Sequence, residues 1–189
     1  MYEDNLAVGK SLKLLFIGEI LAAISAVLGD SGLAGLASLA SLILNLIALS
    51  MAAPTHPYFR TAFQVNIALI VLGVAQVILT LTGMVALAIL AVVAEAVLGV
   101  LNVYLICTAA GQFLTVNGYA ALAAKGVVVW KLYLICSVAM VVFMVLLLVP
   151  FVQIIAVFLV IGTAVAMLVG AILYMVFLYN AYHALLYGQ

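Results

Sequence analysis

The chain has 189 residues, 71% of them hydrophobic and only 5% charged, with five basic and five acidic residues and a formal net charge of zero. A soluble domain runs nearer half apolar and a quarter charged, and small soluble folds leave much of their surface wet, so lipid is the solvent this composition fits. The balanced charge gives no reason to expect a nucleic-acid partner, which needs a basic stripe, and the sequence has no polybasic cluster of the kind that grips anionic headgroups.

Six apolar runs follow, each long enough to span a bilayer, which takes about 20 residues. The first covers about 5–28 and ends at Gly29-Asp30-Ser31-Gly32. Lys10 and Lys13 ahead of it give the layout of a signal peptide, but Glu19 interrupts the apolar run, so it reads as a membrane helix. The second covers about 33–53, up to Pro54-Thr55-His56-Pro57, and the third about 59–81, up to Thr82-Gly83. The fourth covers about 84–112, ahead of a turn at Asn117-Gly118; the fifth covers about 119–149 and stops at Pro150; the sixth covers about 151–185. Gly, Pro and Asn at these points are the residues that break helices and make turns. The predicted fold is all-α, a polytopic integral membrane helix bundle forming one domain over 1–189, with no connection long enough for a soluble domain.

With six spans, every basic residue falls on one side: Lys10 and Lys13, Arg60 with His56, and Lys125 and Lys131. The opposite turns carry only Asp30. The positive-inside rule makes the basic side cytoplasmic, which places both termini in the cytoplasm and the chain in the cell membrane. Tyr2, Tyr58, Phe59, Phe63, Phe113, Tyr119, Trp130, Tyr133, Tyr179, Tyr182 and Tyr187 gather toward that side as an interfacial belt.

The stretch from Leu44-Asn45 to Ala52-Ala53 matches that from Leu101-Asn102 to Ala109-Ala110, and Gly18 corresponds to Gly73. The chain accordingly reads as three tandem helical hairpins, 1–56, 57–117 and 118–189, parallel rather than inverted. The third copy is degenerate, with Leu173 where the Asn would fall.

Ionisable groups inside a bilayer are costly and mark function. Glu19 lies ten residues before Gly29 and Glu95 twelve after Gly83, which puts both about 15–18 Å below the outer turns. Asn45, Asn102 and Gln76 join them as the candidate ligand- or ion-binding set, and Gln64 and Asn66 add polarity to the third helix. Ala34, Ser38, Ser41, Asn45, Ala48 and Ala52 follow a helical 4-3-4-3-4 spacing along one face. Seams of small and amide residues are how membrane helices pack, and packing is the first reading for Ser38, Ser41, Asn45 and Asn102. For Glu19 and Glu95 two readings stand: a neutral hydrogen-bonded carboxyl with a structural role, or a carboxyl in a wet cavity that takes a cation or proton. Gly162, Ala166 and Gly170 form a small-xxx-small face that suits close helix crossing within or between subunits.

Cys107 and Cys136 sit in apolar runs without CxxC spacing and read as packing residues, with no disulfide expected. His56 and His183 lie at the basic ends, and no spacing pairs them as a metal site. There is no HExxH, GxSxG or phosphate loop, so neither an enzyme nor a bound cofactor or metal is expected. No motif assigns the chain to a family. Two functions fit: a solute or ion carrier, channel or solute-binding membrane subunit that uses Glu19 and Glu95, or a structural subunit that acts through a membrane-protein partner or as a homo-oligomer.

Overall fold

The structure is a computed structural model that describes residues 2–29, 31–146, 151 and 153–188, with only the backbone at residues 2, 85, 86, 144 and 145. Among the described residues six α-helices follow one another and there is no strand: α1 (Tyr2–Leu28), α2 (Gly32–Ala52), α3 (Pro57–Leu81), α4 (Val85–Val116), α5 (Ala120–Leu146) and α6 (Gln153–Tyr187). All six are long and apolar enough to cross a bilayer. The turn markers Asp30 and Pro150 and the Tyr2 side chain lie outside the described residues.

The breaks have local causes. Ser31 caps α2 by accepting from the Ala34 amide at 3.2 Å, which satisfies one of the orphan donors at a helix start. His56 caps α3 in the same way, its Nδ1 accepting from the Tyr58 amide at 3.2 Å, with Pro57 at the first helical position. At the end of α3, Gly83 takes φ +72°, and the Gly83 and Met84 amides reach back to the Thr80 and Leu79 carbonyls. Gly118 (φ +87°) closes α4 with the same pair of bonds, from Gly118 to Thr115 and from Tyr119 to Leu114. Only glycine enters this left-handed position without a Cβ penalty. Because α4 stays intact up to that glycine, it runs a turn past the predicted end, to Val116.

Consecutive helices pack on one another, α6 returns to α1, and α4 also touches α6. Side-chain amides tie one end. Asn5 and Asn117 exchange hydrogen bonds of 2.8 and 3.1 Å, and the Tyr119 hydroxyl donates to the Gly188 carbonyl at 2.7 Å. The large buried side chains, among them Leu12, Leu15, Leu49, Phe59, Ile106, Leu114, Phe177 and Leu178, all lie in the half of the bundle nearest these ties. In the other half Leu33, Leu36, Val71, Val74, Leu90, Ile154 and Phe158 stand exposed. Such a surface is untenable in water and ordinary against lipid tails, which are as apolar as leucine.

Candidate functional site

Glu95 has a built environment. Glycine at position 73 lets α4 come close, so that a Cβ there would sit 3.6 Å from Glu95 Oε1. One turn along α3, Gln76 faces the same carboxylate. With its NH2 turned toward the acid, it donates to both Oε1 and Oε2 at 2.9 Å. An amide is the neutral donor that holds a carboxylate between two apolar helices without adding a second charge.

Glu19 lies on α1 next to Gly18, the position against which Asn45 packs. Tyr133 on α5 and Tyr174 on α6 meet edge to face, with ring centroids 6.2 Å apart. Gly170 makes that approach possible: a Cβ there would meet Tyr133 Cε2 and Leu132 Cδ2 at 3.6 Å. Tyr133, expected in the interfacial belt, is half-buried, and Tyr174 is buried. Tyr133 follows exposed Lys131 by two residues, and positions two apart point to opposite sides of a helix.

The α2 seam runs along α1. Ser25 Oγ donates to the Ala34 carbonyl at 2.9 Å and meets Ser38 Oγ at 2.6 Å. Ser41 is buried, and its carbonyl lies 3.4 Å from a Cβ built on Gly18. The same Cβ would fall on Asn45 Oδ1, so Asn45 presses its amide oxygen directly on the α1 backbone. Ser11 Oγ donates to the Ala48 carbonyl at 2.6 Å. Two oxygens remain unsatisfied among the described residues: Asn45 Oδ1 and Asn102 Oδ1 are fully buried without a hydrogen-bond partner. Native interiors leave few such atoms, and each calls for an explanation.

The α6 face divides. Gly170 packs within the chain, Ala166 is half-buried, and Gly162 is exposed with no atom within 4 Å of a Cβ placed there. At the tied end, His183 stacks among Tyr179, Tyr182 and Tyr187, while His56 contacts Tyr58 and Phe113, so the two histidines belong to separate clusters. Grooves of about 430 and 650 Å³ open there, one lined by Lys125, Asn180 and His183, the other by His56, Arg60 and Gln64. Neither groove is lined by Glu19, Asn45, Glu95 or Asn102. Among the described residues no group of three or more His, Cys, Asp or Glu side chains is placed to hold a metal, and Cys107 and Cys136 are buried free thiols.

Six apolar helices and a lipid-compatible exterior define the class, a multi-pass helical membrane protein. Comparison with protein-family models, with curated proteins and with solved structures gives no match.

Proposed function

We infer that the chain is a carrier, channel or solute-binding membrane subunit for a small cationic solute or ion, with Glu19 and Glu95 as its charged positions. One observation carries this reading: two carboxyl groups sit in helices long and apolar enough to cross a membrane, and among the described residues neither forms an ion pair with a basic side chain. Glu95 is held by a neutral amide. A carboxylate in a bilayer needs a counter-charge, and a cationic solute supplies it transiently. The basic end, with Lys10, Arg60, Lys125 and Lys131, is the cytoplasmic side in this reading.

The exposed Gly162 favours a second reading, a subunit that acts through a partner helix, since an open small-residue position permits close helix approach. A native mass spectrum of the protein released gently from its own membrane separates the two. Small-molecule mass on the wild-type chain that is lost in Glu19→Gln or Glu95→Gln supports the carrier reading. A larger assembly without such mass, dispersed by Gly162→Leu, supports the partner reading and contradicts the first.

A further inference from the structure

The groove of about 650 Å³ at the turn from α2 to α3 has three polar side chains in its wall, His56, Arg60 and Gln64. They lie four residues apart, so they follow one face along the start of α3. Each can donate a hydrogen bond into the groove. His56 Nδ1 accepts from the Tyr58 amide at 3.2 Å, so in the neutral ring the proton is on Nε2. The ring packs on Tyr58 and Phe113, with centroids 5.2 and 6.0 Å away. Arg60 brings a guanidinium and Gln64 a side-chain NH2. No carboxylate occurs among the described residues that line this groove, and Arg60 gives it one permanent positive charge.

Further along α3 the same face changes character. Arg60, Gln64, Ile67, Val71, Val74 and Ile78 follow a 4-3-4-3-4 spacing, and all six are exposed. From Ile67 to Ile78 is a rise of about 16 Å, close to the depth of one leaflet in a hydrocarbon core roughly 30 Å thick. A polar groove at the end of the bundle thus continues into an apolar strip one leaflet long. A soluble anion matches only the groove, whereas a phospholipid matches both parts. Arginine pairs with phosphate through two parallel N–H bonds. A phosphodiester carries one negative charge, which Arg60 neutralises, and its oxygens accept further from His56 and Gln64. A zwitterionic headgroup adds an ammonium, for which the described groove has no carboxylate.

We propose that the groove at His56, Arg60 and Gln64 binds the phosphodiester of an anionic phospholipid, whose acyl chains lie along Ile67, Val71, Val74 and Ile78. The site goes beyond the carrier reading and does not rest on it; it needs only that α3 crosses the bilayer. Nor does it need a polybasic cluster, since a pocket between helices holds a single headgroup by directed hydrogen bonds. The test is native mass spectrometry of the delipidated full chain in micelles, titrated with phosphatidylglycerol or with phosphatidylcholine of the same acyl chains. One phosphatidylglycerol per chain is expected at concentrations where phosphatidylcholine is not retained. Arg60→Gln should weaken that binding about tenfold or more. Lys125→Gln, which removes the same charge from the other groove at this end, should leave it unchanged. Equal retention of the two lipids by the wild type overturns the proposal, whether or not the variants fold. Equal weakening by Arg60→Gln and Lys125→Gln also overturns it, because net charge then explains the binding. Displacement of the lipid by glycerophosphoglycerol, the same headgroup without chains, at comparable concentration overturns the lipid assignment in favour of a soluble organic phosphate.

Discussion

Gln76 and Glu95 form an amide–carboxylate pair between α3 and α4, with the Gln76 nitrogen 2.9 Å from each carboxylate oxygen. The pair joins two helices long and apolar enough to cross a membrane, so it fixes their register as well as the acid. Interhelical hydrogen bonds in membranes contribute about 1 kcal/mol. Gln76→Leu is expected to lower stability by about that amount, and a double-mutant cycle with Glu95→Leu to give a coupling energy of similar size. Additive single-variant effects in micelle unfolding would remove the pair from the account.

Gly18 and Gly73 are expected to respond differently to the same change. A Cβ at Gly18 falls on Asn45 Oδ1, whereas a Cβ at Gly73 stands 3.6 Å from Glu95, an ordinary contact. Gly18→Ala should cost about 1–2 kcal/mol, the lower range for overpacking, and Gly73→Ala should be close to neutral. The cost at position 18 should shrink in an Asn45→Ala background. Thermal unfolding of the four variants measures all of this.

Gly162 and Gly170 separate in the same manner. Leucine at 170 must displace Leu132 and Tyr133, so Gly170→Leu should destabilise the folded chain by about 2 kcal/mol. Gly162→Leu points into open space and should leave folding unchanged. A loss of stability in Gly162→Leu that depends on protein concentration would show instead that a partner covers this face.

The Asn5–Asn117 exchange ties the start of α1 to the turn after α4, and Asn5 is buried. Asn5→Ala leaves the second amide short of a partner, at a cost of about 1–3 kcal/mol. Proteolysis or hydrogen exchange should show the first turns of α1 opening in this variant while α2 and α3 keep their protection.

Much of the fold was legible in the sequence, because the punctuation is chemical. Gly29, Gly83 and Gly118 end helices because glycine accepts the left-handed position without a Cβ penalty, and Pro57 starts one. The α2 seam was legible as a periodicity, and it runs along α1. The pairing of Gln76 with Glu95 was not legible: the two residues lie nineteen apart, and whether they meet depends on the register that the α3 C-cap sets. The orphan oxygens of Asn45 and Asn102 depend on what every neighbouring helix fails to offer, and no single stretch of sequence contains that information.

In the carrier reading, carboxylates within the membrane, rather than the bundle as a whole, carry the function. Uptake of a small cation such as sodium into proteoliposomes containing the purified chain, compared between wild type, Glu19→Gln and Glu95→Gln at equal incorporation, tests this. Uptake above that of empty liposomes is expected, reduced about tenfold or more in Glu19→Gln, as when one charged ligand is lost. Equal uptake by all three proteins, or none above empty liposomes, would contradict it.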